Sequence, residues 1–386
     1  MAGATTVVPD WEPVARRIRD EATDDWNDQA AVDRFTGKGG TFLRGHGRLT
    51  GPGEVGVGTQ TFTARRAIVL STGTRPQIPP IPGLADVPYW TNREAIEAKE
   101  LPESLLVLGG GAIGVELAQV FARFGVQITV VEAADRLVPG EEPEAGALLA
   151  RVLGAEGIEI LTGARAAHVR HDGSRFTITL EGGREVGAER LLVATGRRAD
   201  PAALGVETIG LDPRARWVDT DEHLRAAPGV WAVGDLTGRG AFTHVATYQA
   251  AIAIRSILGE AGPGAEYHAV PRVTFTDPEI GAVGLTEAQA RDRGLSVRTG
   301  HTDLTASTRG WIHKAGNDGF IKLIEDTATG TLVGATSAGP SGGEVLSALT
   351  VAVHARVPVS TLRQMIYAFP TFHRAIESAI NAITAY

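Results

Sequence analysis

The sequence predicts an α/β protein in which two parallel-sheet units, the first of them incomplete, are followed by a C-terminal α+β domain. Three observations predict this fold. A strand, a glycine-rich turn and an amphipathic helix follow one another over residues 105–124. Two apolar strands, at 67–70 and 191–194, each run towards a Thr-Gly pair. After Gly264 the pattern of strands and helices changes, which indicates a separate domain.

The glycine-rich turn has the spacing G-x-G-x-x-G, from Gly109 to Gly114. The apolar residues 105–108 before it predict a buried parallel strand. In such a turn the first glycine permits the tight bend, Gly111 lets a pyrophosphate approach the backbone, and Gly114 lets the helix pack close to the sheet. The helix is predicted to pack through one apolar face, made of Ile113, Leu117, Val120, Phe121 and Phe124.

The second strand, residues 126–131, ends at Glu132, which lies 18 residues after Gly114. A carboxylate at this position accepts a hydrogen bond from an adenine-ribose 2′-hydroxyl and repels a 2′-phosphate, so the pattern favours NAD over NADP. A glycine-rich turn in another kind of α/β protein would not need all these features in register. The sequence therefore predicts a Rossmann-like dinucleotide site with its phosphate contacts at Gly109, Gly110, Gly111, Ala112, Ile113 and Gly114.

Composition excludes several classes of function. The chain has 386 residues, 43% hydrophobic and 21% charged, which is enough for two or three globular domains. A net charge of −8 without a basic run argues against nucleic acid or an anionic membrane as a partner. The absence of cysteine excludes disulfides, thiolate zinc sites and a cysteine redox couple within this chain, and the scattered histidines predict no metal site.

The distribution of apolar residues predicts neither a membrane-spanning helix nor a signal peptide. Glu116 and Arg123 interrupt the longest candidate membrane span. The opening "MAGATTVVPDW" has no basic segment followed by an apolar core, so it does not have the pattern of a signal peptide. We therefore expect a cytoplasmic protein.

The other elements follow from local patterns. Residues 10–36 are polar and predicted to be helical, with Trp11, Val14, Ile18 and Trp26 as packing residues. Short strands and glycine turns fill 41–70, and the prolines at 76–83 indicate a linker or crossing segment. The predicted elements beyond the dinucleotide motif are a helix at 143–156, strands at 158–161, 176–180, 190–195, 272–275 and 320–324, and a helix at 344–355.

The segments "IVLSTG" and "LLVATG" repeat one sequence pattern, because each is an apolar strand that ends in Thr-Gly. Their glycines, Gly73 and Gly196, lie 123 residues apart. This internal repeat indicates a second dinucleotide-type half. Asp235 follows a strand and Gly234 in "GVWAVGDLTG", where its carboxylate is placed to hold a ribose or polyol hydroxyl or, alternatively, to cap a turn.

Several motifs occur together in a recognisable order: "STGTRPQIPPIPG", "LGGGAIGVELAQVFARFG", "LLVATGRRAD", "VWAVGDLTG", "THVATYQA" and "VTFTDPEIGAVGLTEAQA". With these motifs nearly the whole chain resembles the pyridine nucleotide-disulfide oxidoreductases, the family of dihydrolipoyl dehydrogenase and mercuric reductase. The resemblance implies a partial FAD-binding domain at 1–86, an NAD-binding domain at 87–210, a return to the FAD-binding domain at 211–264 and a dimerisation domain at 265–386. It also implies a homodimer that passes a hydride from NADH to FAD and on to an unidentified small acceptor, such as a quinone or a dye.

The resemblance also suggests site residues. Glu116 would lie towards the nicotinamide, although a carboxylate in the first turn of a helix can equally serve the helix dipole. Gly196 and Arg197 would contact NAD, with a surface ion pair as the alternative for Arg197. His244 would approach the flavin ring, unless it is a buried histidine with ordinary partners. The full set of implied FAD contacts is Thr72, Gly73, Gly234, Asp235, His244 and Ala246.

The chain departs from the family at its start. The family opens with its own G-x-G-x-x-G for the FAD pyrophosphate and a C-x4-C redox pair, and neither motif occurs here. We therefore expect the chain to begin where the FAD domain is already half built. Expressed from Met1, it should be mostly colourless, weakly folded in its first 85 or so residues and poor at NADH oxidation. The alternative function is a truncated, non-catalytic remnant that binds NAD and dimerises.

The C-terminal text "YAFPTFHRAIESAI" departs as well. Dihydrolipoyl dehydrogenase has a His-Pro-Thr-x-x-Glu signature whose histidine and glutamate form an acid–base pair. In this chain Phe369 and Arg374 stand at those two positions, and a phenyl ring cannot carry a proton. His373 and Glu377 are spaced to share a helix face and are candidates for a substitute catalytic pair, or else a solvated face or dimer contact. The last helix carries Ile376, Ile380 and Ile383, which we expect at the dimer interface.

Overall fold

The computed structural model describes residues 8–383. The first seven residues of "MAGATTVVPDW", and the outer limits of the predicted first and last domains, lie outside this range. The chain folds into two compact units. Among the described residues, unit 1 comprises 8–12, 78–195 and 268–383, and unit 2 comprises Pro13–Gln77 and Gly196–Tyr267.

The helices are distributed over both units. Short 3-10 turns at Leu84–Asp86, Val206–Ile209, Gly234–Thr237 and Leu304–Ala306, and a π-turn at Ile18–Ala22, accompany them. The α-helices are α1 Glu12–Arg17, α2 Gln29–Thr36, α3 Asn92–Glu97, α4 Ala112–Arg123, α5 Pro143–Ala155, α6 Pro201–Leu204, α7 Thr243–Leu258, α8 Glu287–Asp292, α9 Thr308–His313, α10 Gly342–His354, α11 Val359–Arg363 and α12 Ala375–Ala382.

The strands form six small sheets in the described part of the chain. They are β1 Gly47–Gly51, β2 Glu54–Val57, β3 Gln60–Thr63, β4 Ile68–Leu70, β5 Arg75–Pro76, β6 Ser104–Leu108, β7 Gln127–Val131, β8 Glu159–Leu161, β9 Ala166–His171, β10 Phe176–Leu180, β11 Glu185–Ala188, β12 Arg190–Val193, β13 Arg197–Arg198, β14 Arg225–Ala227, β15 Val230–Ala232, β16 Pro271–Thr274, β17 Glu279–Gly284, β18 Val297–Asp303, β19 Phe320–Asp326 and β20 Thr331–Gly339.

The predicted dinucleotide motif forms the centre of unit 1. Strands β12, β6, β7 and β8 make a parallel sheet in that order, with α4 linking β6 to β7 and α5 linking β7 to β8. The strand residues Leu105, Leu106, Val107 and Val130 are fully buried, as a parallel sheet covered on both faces requires. The predicted strand–turn–helix–strand order and the helix near 143–156 are therefore confirmed.

The apolar face predicted for α4 is rotated in the structure. Its buried residues are Gly114, Val115, Ala118, Gln119 and Phe121, whereas Val120 is 41% exposed. Ile113, Leu117 and Phe124 are only half-buried. Small side chains at 114, 115 and 118 let the helix axis approach the sheet, so the closest face is the small one rather than the bulkiest one.

The C-terminal part of unit 1 is an antiparallel sheet of order β16-β17-β20-β19-β18, with α10 and α12 packed against it. The isoleucines expected at a dimer interface, Ile376, Ile380 and Ile383, are at most 2% exposed within the single chain. That expectation is wrong for these side chains. Helix α12 lies so close to β18 that a Cβ built on Gly300 would overlap the carbonyl oxygen of Ala379. The isoleucines therefore fill the intramolecular core.

Unit 1 is held together by a core that its two sheets share. Ile280, Phe320 and Ala338 of the antiparallel sheet belong to the same buried cluster as the residues around α4 and α5. The four domain limits interpreted from the sequence stay predictions, since the NAD-type fold and the C-terminal sheet pack here as one unit.

Unit 2 contains a three-stranded sheet of order β14-β15-β4, in which β15 and β4 are parallel. The two strands predicted from "IVLSTG" and "VWAVGD" are thus neighbours. Within residues 8–383 no strand pairs with the other side of β4, and Val69 in its middle is 46% exposed. This small sheet with an open edge at β4 is the part of the structure that corresponds to the partial first unit predicted from the sequence.

The segment predicted as one helix over 10–36 breaks into α1, a π-turn and α2. The break falls at Asp24, Asp25 and Trp26, which all have positive φ angles. Trp11 alone of the four predicted packing residues is buried, at 8% exposure, whereas Trp26 is 42% exposed. The Trp11 indole N–H donates to the Ala98 carbonyl oxygen at 3.0 Å, and its ring packs against Phe121 and Phe124.

Trp11→Ala should lower the free energy of unfolding of unit 1 by about 3–5 kcal/mol, because it removes a buried ring and orphans the Ala98 carbonyl. The matched control Trp26→Ala, which removes an exposed ring, should stay within about 0.5 kcal/mol of the parent. Urea denaturation followed by circular dichroism measures both. Equal effects of the two substitutions would contradict the anchoring role of Trp11.

Candidate dinucleotide-binding site

The glycine loop between β6 and α4 needs its glycines for two close approaches. Gly109 has a φ of 112°, and a Cβ there would lie 2.5 Å from the Ala194 carbonyl oxygen. A Cβ on Gly114 would overlap the carbonyl oxygen of Gly109. The first and last glycines therefore let the loop turn tightly and let α4 start directly against the sheet.

The middle glycine faces open space. A Cβ on Gly111 would meet no atom within 4 Å. Gly111 is the N-cap of α4, no side chain caps the helix, and the first turn bonds begin with Val115 N–H to the Gly111 carbonyl. The backbone N–H groups of Ala112, Ile113 and Gly114 thus start a 12-residue helix beside an open loop. Free N–H groups and the helix dipole at such a place suit a pyrophosphate.

Glu132 lies at the end of β7, beside the loop. One carboxylate oxygen, Oε2, accepts from the Gly110 N–H at 2.6 Å, and the other, Oε1, accepts from the Ala134 N–H at 2.6 Å. The sequence placed this carboxylate at the adenine ribose, and the structure brings it to the glycine loop as well. Its ribose contact stays a prediction.

Glu116 has a partner that sequence reasoning did not find. Its Oε1 accepts from the Phe275 N–H at 2.7 Å. Burial raises the pKa of the Glu116 carboxyl, and this backbone hydrogen bond acts in the opposite direction. Gln119, one turn further along α4, exchanges two 2.8 Å hydrogen bonds with the backbone of Asp277. These contacts fix α4 to the segment that joins β16 and β17.

The second Thr-Gly turn leads into a hydrogen-bond chain in unit 2. Arg197 donates from Nε to the Thr74 hydroxyl oxygen at 2.8 Å, and from Nη2 to the Thr74 carbonyl oxygen at 2.7 Å. The Thr74 hydroxyl donates to Asp235 Oδ2 at 3.2 Å. Gly196 and Arg197 therefore belong to the unit that contains Asp235, while the glycine loop belongs to unit 1. Their predicted contact with NAD stays a prediction.

The turn that carries Gly234 and Asp235 is held from beneath by Gln249. This fully buried side chain accepts from the Gly234 N–H at 2.6 Å and donates to the Thr237 hydroxyl at 3.0 Å and the Tyr267 hydroxyl at 2.9 Å. Sequence reasoning missed Gln249 and Thr74. An isolated glutamine in the otherwise apolar "AAIAI" side of α7 is the signal that would have found the first.

The other predicted flavin contacts lie around the same turn. The Ala246 methyl group is 3.4 Å from the position of a Cβ on Gly234. His244 is exposed at the start of α7, with its ring stacked on Phe242 at 5.1 Å. Thr72 and Gly73 follow β4, and Gly73 has a φ of 65° with open space around it. These residues line one end of the unit 2 sheet, where α/β folds bind ligands.

The candidate catalytic pair at the C-terminus is not brought together. Glu377 forms an ion pair with Arg374 at 2.9 Å, whereas the His373 ring lies 5.3 Å from the Tyr367 ring. Among the described residues no hydrogen bond joins His373 to Glu377. Phe369 is 64% exposed, and the Arg374 guanidinium lies 5.6 Å from its ring centre. The two residues that replace an acid–base pair thus form a cation–π contact.

No group of three His, Cys, Asp or Glu side chains within residues 8–383 could hold a metal ion. No described helix combines the length and apolarity that crossing a membrane requires.

These features define the class of protein: an α/β dinucleotide-binding protein with one open phosphate loop, a second parallel-sheet unit and an antiparallel C-terminal domain. Residues 7–250 match the family model "Pyridine nucleotide-disulphide oxidoreductase", and residues 270–380 match its dimerisation domain. The chain belongs to the pyridine nucleotide-disulphide oxidoreductase family, whose members use FAD and NAD(P)H.

Individual relatives agree with this assignment. A mercuric reductase of Streptomyces lividans is 37% identical over 85% of this chain and 70% of its own length. A dihydrolipoyl dehydrogenase of Thermus scotoductus is 32% identical over 89% of this chain and 75% of its own length. The chain spans only 56% of the mercuric reductase of Shewanella putrefaciens, at 34% identity over 81% of this chain.

Solved structures show the same fold. The HOCl-induced flavoprotein disulfide reductase RclA from Escherichia coli superposes with a TM-score of 0.86 at 26% identity, over 98% of this chain and 87% of RclA. LpdA from Mycobacterium tuberculosis superposes with a TM-score of 0.84 at 26% identity, over the whole of this chain and 85% of LpdA.

Gly111→Ala should leave the fold intact, because its methyl group meets nothing, but should weaken NADH binding at least tenfold by occupying the predicted pyrophosphate space. Gly114→Ala should instead destabilise unit 1 by about 1–3 kcal/mol, because its methyl group overlaps the Gly109 carbonyl. Calorimetric titration with NADH and thermal melting separate the two effects.

Gly154→Ala, in α5, is the control, since its Cβ also meets no atom within 4 Å but lies outside the loop. It should keep both stability and NADH affinity. Parent-like affinity in Gly111→Ala would show that the pyrophosphate binds elsewhere.

Proposed function

We propose that this chain is a flavin-dependent NAD(P)H oxidoreductase that takes a hydride from NADH and delivers electrons to a small acceptor. The observation that carries the proposal is the open, uncapped glycine loop at Gly111, with Glu132 beside it and alanines at 133 and 134, where a 2′-phosphate would need cations. In this proposal Gly109 to Gly114 hold the pyrophosphate and Glu132 selects NAD.

Unit 2 supplies the proposed flavin side. FAD, when bound, accepts the hydride and releases electrons to the acceptor. Asp235 fits a ribityl or ribose hydroxyl, because the Thr74 hydroxyl, which accepts from Arg197, donates to one Asp235 oxygen, and Gln249 fixes the turn itself. Thr72, Gly73, His244 and Ala246 would complete this side. A cytoplasmic location belongs to the same proposal.

The acceptor is proposed to be one that needs neither a thiol nor a proton relay from this chain. The sequence contains no cysteine, and Phe369 and Arg374 occupy the positions of the acid–base pair in the resemblance to dihydrolipoyl dehydrogenase. The exposed Phe369 ring, with the Arg374 guanidinium 5.6 Å from its centre and paired with Glu377, offers a flat apolar surface. A quinone or a redox dye suits such a surface better than a disulfide does.

A second candidate function is NAD binding and dimerisation without flavin chemistry. The open side of β4 favours it, because a parallel sheet normally has both neighbours and both faces covered, while Val69 is 46% exposed. A flavin site built on this three-stranded sheet would lack part of its support within the described residues.

One experiment separates the two functions. Under the first proposal, the purified chain supplied with FAD should bind NADH at micromolar concentration and reduce dichlorophenolindophenol, and Asp235→Ala should abolish dye reduction without changing NADH affinity. The reason is that Asp235 lies in unit 2 and the glycine loop in unit 1.

Calorimetry measures NADH binding, and the flavin absorbance band after desalting measures FAD retention. NADH binding without FAD retention or dye reduction would establish the second candidate. Absence of NADH binding would overturn both.

We further propose that the homodimer forms through an exposed apolar patch of the family's dimerisation domain. Val351 is 63%, Met365 40% and Ile366 96% exposed, and Val351 and Met365 line an apolar groove of about 530 Å³. These side chains, rather than the buried isoleucines of α12, are available to a second copy.

Ile366→Asp should convert the dimer to a monomer at tens of micromolar protein, because it places a charge in the apolar contact. Leu258→Asp is the control, since Leu258 is 45% exposed in unit 2 and should not affect assembly. Light scattering measures the mass of each variant. A dimeric Ile366→Asp variant would show that the interface lies elsewhere.

A further inference from the structure

We propose that Glu132 is a positioning residue for the pyrophosphate loop, so that it controls affinity for every dinucleotide and not only the choice between NAD and NADP. The inference rests on the proposed NAD site. It adds a second role to a carboxylate whose predicted partner is the ribose.

Three hydrogen bonds fix the start of the loop. Gly109 N–H donates to the Val131 carbonyl at 2.9 Å, Val138 N–H donates to the Gly110 carbonyl at 2.8 Å, and Gly110 N–H donates to Glu132 Oε2 at 2.6 Å. Glu132 supplies the only side chain among these acceptors and donors. Because its acceptor is a carboxylate, this bond is the strongest of the three.

The carboxylate is itself held in place. Its other oxygen accepts from the Ala134 N–H at 2.6 Å, so rotation of the group would break two bonds at once. Neighbouring atoms leave no space for a side chain at Gly110, since a Cβ there would lie 2.7 Å from Leu137 Cδ2 and 3.1 Å from Glu132 Cβ. Leu137 is fully buried. Residues 132–138 therefore enclose Gly110, and we call this segment the clamp.

Backbone strain at the end of this segment supports the same reading. Val138 is a buried β-branched residue with a φ of 41°, a conformation that such residues rarely adopt. Strain of this kind persists where the surroundings fix it, and it is common at ligand-binding turns. Here it directs the Val138 N–H to Gly110 and completes the clamp.

The clamp and a ribose contact are compatible. Each carboxylate oxygen has two lone pairs, so an oxygen that accepts one backbone N–H still accepts a ribose hydroxyl. A substitution of Glu132 that aims to admit NADP would nevertheless release Gly110. If Glu132 only selected the cofactor, Glu132→Ser combined with Ala133→Arg would bind NADP about as tightly as the parent binds NAD. Because the variant also loses the hydrogen bond to Gly110, it should bind NADP more weakly than that.

The test compares NAD⁺ with its analogue that lacks the 2′-hydroxyl of the adenine ribose. If Glu132 only contacts that hydroxyl, Glu132→Ala and the parent will bind the 2′-deoxy analogue equally. If Glu132 also clamps the loop, Glu132→Ala should bind the 2′-deoxy analogue about tenfold or more weakly than the parent does. Calorimetry measures all four affinities, and circular dichroism checks that the variant is folded.

Two further variants keep the test decisive. Glu132→Gln keeps the shape and one acceptor oxygen, so it should recover part of the lost affinity for the 2′-deoxy analogue, and it replaces Glu132→Ala if that variant does not fold. Glu181→Gln removes a carboxylate whose side chain is exposed and which lies outside both the glycine loop and residues 132–138, so it should leave both affinities unchanged.

Equal binding of the 2′-deoxy analogue by the parent and the folded Glu132 variants would overturn the clamp while leaving the NAD site intact. A parent chain that binds neither NAD⁺ nor the analogue would instead overturn the proposed site itself.

Discussion

The rest of unit 1 depends on the direct contact between the first turn of α4 and the end of β6. Only glycine fits at position 114, because a Cβ there would overlap the Gly109 carbonyl oxygen. The contact fixes where the helix begins, and therefore where its free N–H groups lie relative to the sheet. It also leaves Gly111 facing open space, directly before the first turn of α4, whose N–H groups have no partner within the helix.

Other contacts keep α4 in this place along its whole length. Trp11 packs against the C-terminal end of the helix, and Glu116 and Gln119 bind the backbone of the segment after β16. The loop is therefore preorganised by contacts remote from it. A ligand that binds at Gly111 does not have to order the helix first, which reduces the entropic cost of binding.

A buried charge cluster joins the NAD-type fold to the C-terminal sheet. Lys322 on β19 forms ion pairs with Glu142 at 2.8 Å, Glu144 at 2.7 Å and Glu287 at 3.0 Å. Burial acts to lower the pKa of Lys322, but the hydrogen bonds to the carboxylates outweigh it and raise the pKa. Loss of Lys322 would leave Glu142 buried without a counter-charge, so this ion pair fixes β19 of the C-terminal sheet to the start of α5. The glycine loop and the region that matches the family's dimerisation domain thus lie in one compact unit.

The sequence by itself determined the strand–turn–helix–strand order, the three glycines, the presence of a second parallel-sheet unit and the family, because these depend on local spacing and backbone sterics. Only the tertiary structure decided which face of α4 is buried, that Ile376, Ile380 and Ile383 fill a core, and that Glu377 pairs with Arg374 instead of His373. Periodicity identifies an apolar face but not the element that covers it. The hydrogen bonds from Thr74 to Asp235, from Gln249 to Thr237 and from Gly110 to Glu132 likewise required the fold, since these partners lie 161, 12 and 22 residues apart in the chain.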